Sequence, residues 1–197
     1  TTDNTQTEKG AGYIKILGAT TDNHFDAVVL STDTTDCKYL NINQGEVLVT
    51  VALKPIALPS ATNNYTYYFA LQDQDPTIDN ISTPTVQLAL YFLHDGTAPA
   101  LMYIFKNGAI IVNDILLSSL TGTSGFFTLQ IRITPTKTYF YFNRDTVIEV
   151  TQTAPNTNLG IATGVESISG TAAQVLIDKI AIQQKYNSAY KAYELGT

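Results

Sequence analysis

Hydrophobic and polar positions alternate most strictly between residues 126 and 184. Phe127, Leu129, Ile131 and Ile133 fall on one face of a run whose other face carries Thr128, Gln130 and Arg132. After a turn at Pro135, Thr138, Phe140 and Phe142 alternate with Tyr139 and Tyr141. A period of two sends successive side chains to opposite faces, so each run predicts a half-buried antiparallel strand. Four such runs, bounded by Pro, Gly, Asn or Asp with no helical pattern between them, predict a sandwich or closed barrel.

Upstream the pattern continues. Strand-like runs fall at 13–17, 25–30, 38–42, 46–53, 65–72 and 85–93. In 46–53, Val47, Val49 and Val51 alternate with Leu48, Thr50 and Ala52, which predicts cover on both faces. Asn107-Gly108 between the runs 101–106 and 109–112 is a strong hairpin signal. The predicted core includes Ile131, Ile133, Phe140, Phe142, Val175, Ile177, Ile180 and Ile182. With no internal repeat and no composition shift, one domain is expected over 13–184, preceded by a polar arm at 1–12. In the last segment, 185–197, Tyr186, Tyr190 and Tyr193 recur at helical spacing. They predict an assembly arm or short helix docking on a neighbouring subunit, with docking on its own sandwich as the other reading.

Composition sharpens this picture. Among 197 residues 44% are hydrophobic, enough for a core without staples. Only 14% are charged, and 29 threonines take up the polar share. Thr suits the outer face of a strand without adding charge. The net charge is −6 and no run of Lys or Arg occurs, which argues against nucleic acid as a partner. Cys37 is the only cysteine, so no intrachain disulfide forms, and a small buried thiol is expected. No apolar stretch has the length of a spanning helix, so no membrane insertion is expected.

The order of elements in the second half, with Tyr139-Phe140-Tyr141-Phe142-Asn143 in a hairpin and Ile177-Asp178-Lys179-Ile180-Ala181-Ile182 in a closing strand, resembles the concanavalin A-like lectin/glucanase superfamily. That is the jelly-roll sandwich shared by legume lectins, laminin G-like modules and many phage structural proteins. The resemblance implies an all-β, antiparallel jelly-roll β-sandwich. It departs at the hairpin, where Arg144-Asp145 replaces the usual Gly. The turn is therefore expected to be longer, or to hold Asn143 or Asp145 at positive φ.

The resemblance also directs the search for chemistry. The glucanase branch carries Glu-x-Asp-x-x-Glu on one strand, where alternation puts the first Glu and the Asp on one face. No such motif occurs here, and Glu149 and Glu166 are expected to be dispensable. His24 and His94 lie far apart in turn-like settings, and no Gly-x-Ser-x-Gly elbow is present. The loop holding Asp73, Asp75, Asp79 and Asn80 has the oxygen ligands calcium prefers, although such residues equally serve self-bonded turns. No cofactor is expected. Tyr65, Tyr67 and Tyr68, beside that loop, are the candidate carbohydrate- or partner-binding residues, since Tyr offers an apolar face with a polar tip.

Together these features lead to the expectation of a non-enzymatic virion structural protein of phage type. It would contact identical subunits, other virion proteins or a host-surface glycan. A carbohydrate-binding lectin-like module is the alternative.

Overall fold

The alternating runs become strands in the computed structural model, which describes residues 14–18, 24–30, 40–41, 45–73, 84–94, 96–117, 120, 125–169 and 173–186. These residues form thirteen strands. One antiparallel sheet has the order β1 (Ile14–Leu17), β13 (Gln174–Tyr186), β4 (Gly45–Pro55), β9 (Phe127–Ile133), β10 (Thr138–Phe142) and β11 (Thr146–Val150). The other runs β2 (His24–Leu30), β12 (Asn158–Ser169), β5 (Asn64–Gln72), β6 (Val86–His94), β7 (Pro99–Asn107) and β8 (Ile110–Leu117). A two-residue strand, β3 (Leu40–Asn41), pairs with β12 to complete seven.

The two sheets pack face to face because each has one continuous apolar face. Val47, Val49, Val51 and Leu53 of β4 are all fully buried, while the outward Leu48, Thr50 and Ala52 are half-buried. Opposite them, Phe69, Leu88 and Leu90 fill the inner face of the seven-stranded sheet. Aromatic rings bridge the layers: Phe92 lies 5.7 Å from Phe127, and Tyr103 lies 5.2 Å from Phe140. Burial on this scale is the main stabilising contribution.

Local chemistry sets the turns. At the β10–β11 hairpin both Asn143 (φ 51°) and Arg144 (φ 68°) are left-handed, and the Asp145 amide donates to the Phe142 carbonyl at 3.2 Å. Asn143 is at positive φ as expected. Its partner in the turn is Arg144, not Asp145. The Asn143 side chain also accepts the Thr128 amide at 2.9 Å, tying the turn to β9. At the β7–β8 hairpin, Asn107 pairs with Ile110, so the loop is Gly108-Ala109, one residue beyond the expected Asn-Gly position. Gly108 takes φ 60° at its first position. That arrangement suits glycine there.

The closing strand departs from simple alternation. Its pairing with β4 shifts between Ile177 and Lys179, which leaves Asp178 as an exposed bulge. Ile180 and Ile182 return to the inner face opposite Val51 and Val49, but beyond the end of β1. Among the described residues no strand lies on that side, and Ile180 is only partly buried and Ile182 is 43% exposed. Ile182 is therefore not core. β13 also extends through Tyr186, which pairs with Gly45 in the strand and so does not begin a helix. Tyr190 and Tyr193, the rest of the expected arm, lie outside the described residues, as does the arm at 1–12.

Phe140→Ala should cost about 3–5 kcal/mol in urea unfolding, and Ile182→Ala under about 1 kcal/mol. Equal costs would show that the inner face continues past the bulge. Arg144→Gly should raise stability by about 0.5 kcal/mol, because relief of a left-handed residue (about 1–2) exceeds the added chain entropy of Gly (about 0.5–1). A loss of stability in that variant would mean that Arg144 contributes contacts worth more than its strain.

Candidate functional site

Parity within β5 decides which of its tyrosines can meet a ligand. Tyr65 and Tyr67 point between the sheets and are 1% and 0% exposed. Tyr65 donates its hydroxyl to the Ala57 carbonyl, pinning the segment after β4. The Tyr67 hydroxyl is hydrogen-bonded to Thr163, whose own hydroxyl reaches the Tyr68 carbonyl at 3.2 Å. These two residues are core, so neither offers a binding surface. Asp73 is also structural: its carboxylate accepts the Val86 amide at 3.1 Å and its amide donates to the Val86 carbonyl. Asp75, Asp79 and Asn80, with most of the calcium-candidate loop, lie outside the described residues. Among the described residues no group of three or more His, Cys, Asp or Glu could hold a metal ion.

Tyr68 faces the other way, onto the outer side of the seven-stranded sheet. Register builds a site around it. On β12, Gly160, Ala162, Gly164 and Glu166 stand opposite Gln72, Ala70, Tyr68 and Thr66 of β5. On β6, Gln87, Ala89 and Tyr91 stand opposite Gln72, Ala70 and Tyr68. The middle of the face is thus a floor of glycine and alanine. One end carries Tyr68, Tyr91 and Glu166. The other carries Gln72 and Gln87, whose amides bond each other at 3.1 Å. Four residues of strand separate Tyr91 from Gln87, about 13 Å.

Tyr68, Ala70, Ala89, Tyr91 and Ala162 form a second buried cluster, separate from the core between the sheets. Glu166 is only half-buried. Tyr91 is 4% exposed, and its hydroxyl has no hydrogen-bond partner. Burial first, and then the charge of Glu166, push the Tyr91 phenol far above its ordinary range. Burial raises Tyr68 as well, with Tyr67, Tyr91 and then Glu166 adding to it. Both phenols therefore stay protonated. Glu149 sits on the outer face of the other sheet, so it forms no pair with Glu166.

Sequence reasoning passed over Tyr91 and the glutamine pair, and took Glu166 to be dispensable. The signal was present in β12, where Gly160, Ala162, Gly164 and Glu166 share one parity.

No family model matches this sequence, and no curated protein matches it. Solved structures do share the fold. The alginate lyase AlyC3, solved in complex with dimannuronate, aligns with a TM-score of 0.64 and 8% identity, over 89% of this chain and 76% of that one. Alginate lyase A1-II′, a member of polysaccharide lyase family 7, aligns at 0.57 with 15% identity, over 89% and 81%. A Bacillus licheniformis β-glucanase aligns at 0.56 with 12% identity, over 91% and 95%. At such identities the likeness is one of fold, and the fold is the jelly-roll β-sandwich.

The comparison corrects the functional expectation. A non-enzymatic virion protein was expected from the fold resemblance, the Thr-rich, weakly charged composition, the missing glucanase motif and the arm-like termini, and the lectin-like alternative from Tyr beside Asp and Asn at 65–80. The structural neighbours include polysaccharide lyases as well as a glucanase. Absence of Glu-x-Asp-x-x-Glu therefore removes one chemistry on this scaffold and not catalysis itself. The virion, phage and non-enzyme expectations fall with it.

Tyr67→Phe should destabilise the fold by about 1 kcal/mol, because it breaks the bond to Thr163. Tyr91→Phe should leave thermal stability unchanged or higher, because its hydroxyl is buried without a partner. If Tyr91→Phe costs as much as Tyr67→Phe, the Tyr91 hydroxyl has a structural role.

Proposed function

We propose that this chain is a polysaccharide-cleaving enzyme of the lyase type, acting on a carboxylate-bearing polymer at the outer face of the seven-stranded sheet. The observation that carries the reading is the Tyr91 hydroxyl, buried, unpartnered and under the field of Glu166. Hydrolysis by the usual route needs two carboxylates flanking the bond. Glu166 is the one acidic residue that the described register brings to the tyrosine end of this face. Elimination needs one proton acceptor and one donor, the roles we assign to Glu166 and Tyr91.

In this reading Glu166 accepts the proton from the carbon next to the sugar carboxyl. The electron pair forms the new double bond and expels the glycosidic oxygen, to which Tyr91 donates its proton. Glu166 ends protonated and Tyr91 ionised. Transfer of the proton from Glu166 to Tyr91 restores both, driven by the strong preference of a buried phenol for its neutral form. Tyr68, directly opposite Tyr91, positions it and adds a second neutral phenol. Lys106, opposite Gln87, supplies positive charge at the far end of the floor. Because Tyr91 is buried and Glu166 half-buried, the polymer meets the carboxylate first, and the face must open around the phenol.

The test is incubation with alginate, polygalacturonate and β-glucan, following both new reducing ends and the ultraviolet absorbance of an unsaturated product. Absorbance rising with reducing ends on an acidic polymer is expected. Tyr91→Phe and Glu166→Gln should each lower kcat by about 10²–10⁴-fold, with folding intact. Reducing ends without absorbance, cleavage of the neutral glucan alone, or no cleavage at all would each overturn the lyase reading.

A further inference from the structure

The opposite side of the molecule carries a different surface. On the outer face of the six-stranded sheet, register lines up Lys15, Leu176 and Lys54 across β1, β13 and β4. Lys179 and Lys185 of β13 stand opposite Ala52 and Glu46, and both are exposed. Arg132 on β9 is opposite Leu48 and Tyr139, and Lys137 lies in the turn leading into β10. Six of the 11 basic residues in a chain of net charge −6 are therefore gathered on one face and its rim. Glu46, Glu149 and the bulged Asp178 are the acids among them. Scattered along the sequence, these basic residues form no run. The fold makes them a patch.

Two aromatic side chains stand in the same face. Tyr139 and Tyr141 are half-exposed, with ring centroids 6.2 Å apart and planes 26° from parallel. The Arg132 guanidinium lies 5.4 Å from the centre of the Tyr139 ring and is ion-paired to Glu46. Lys137 is ion-paired to Glu149, and Gln130 donates to the Thr50 hydroxyl at 2.9 Å. These bonds hold the groups around the rings in fixed positions before any ligand arrives, which lowers the entropy cost of binding.

We propose that this face is a second, non-catalytic binding surface for a carboxylated polysaccharide. Lysines on three strands would meet the sugar carboxylates. Tyr139 and Tyr141 would stack on the apolar faces of sugar rings, and Glu46, Glu149 and Gln130 would take up sugar hydroxyls. Single-stranded nucleic acid is the competing polyanion, and its binding is one of the outcomes tested. Binding here does not depend on cleavage at the other sheet.

The experiment titrates alginate oligomers, neutral cello-oligomers and single-stranded DNA into the Glu166→Gln chain, so that cleavage cannot consume the ligand. NMR of labelled tyrosine reports on Tyr139 and Tyr141. Alginate oligomers should bind, shift those two signals, and weaken as salt is raised. The double variant Lys54→Glu with Lys179→Glu should weaken binding by about ten-fold or more, and the milder Lys54→Gln with Lys179→Gln by less, with unfolding temperatures close to that of the parent. Tyr141→Ala should weaken it independently of salt. The proposal is overturned if alginate does not bind, if the lysine variants bind as the parent does, or if cello-oligomers or DNA bind as tightly.

Discussion

Side-chain parity in the strands is the constraint on which both the fold and its surfaces depend. Each strand residue faces either the seam between the sheets or the outside, and a shift of one residue exchanges the two sets. The seam is fixed by residues that tolerate no exchange. Val47, Val49, Val51 and Leu53 on one side and Phe69, Leu88, Leu90 and Phe92 on the other have almost no exposure. Once these are inside, the outward positions of the same strands are determined. Gly160, Ala162, Gly164 and Glu166 face one exterior, and Arg132, Tyr139 and Tyr141 face the other. The chemistry of each surface is a by-product of the register that builds the core.

The sequence was legible wherever one face was apolar and the other polar. β9 and β10 follow their predicted facing residue by residue, with Ile131, Ile133 and Phe140 fully buried and Arg132 and Tyr139 outward. β5 and β6 were legible as strands but not in function. Both are buried on both faces at their centres, so Tyr65, Tyr67 and Tyr68 looked alike although only Tyr68 faces the candidate site. Alternation cannot rank two apolar faces; register with β12 does. The bulge at Asp178 was illegible for a related reason. One inserted residue restarts the alternation without changing its period. Ile182 then stays on the expected side, but beyond the described pairing of β13 with β1.

The functional error had a different source. Motif reasoning asked whether the catalytic residues of one enzyme branch were present on one strand. A site assembled across β12, β5 and β6 has no such local signature, because its members lie far apart along the chain. Tyr91 and Glu166 are 75 positions apart in number and become neighbours only through pairing of their strands with β5. The same holds for the basic residues of the opposite face. Charge runs along the chain are a good guide to disordered or helical basic segments, and a poor one to sheets, where one face draws every second residue from several distant strands.

Two buried hydroxyls show why Tyr91 carries functional weight. Thr138 and Tyr91 both lack a hydrogen-bond partner, and each such group costs about 1–3 kcal/mol. Thr138 is fully buried on the inner face of β10, with Ile133 and Val150 as its cross-strand neighbours. A β-branched side chain of that shape fits there, so its hydroxyl adds a cost without adding a contact. Tyr91 pays the same penalty in a different place. Its ring faces outward, opposite Tyr68, and its phenol feels the Glu166 carboxylate. A phenylalanine would fill that space without the penalty. What the hydroxyl adds there is a proton held in the field of a carboxylate, above a floor of small residues. Where a local rule of stability is broken next to groups able to use the consequence, chemistry is the better explanation than packing.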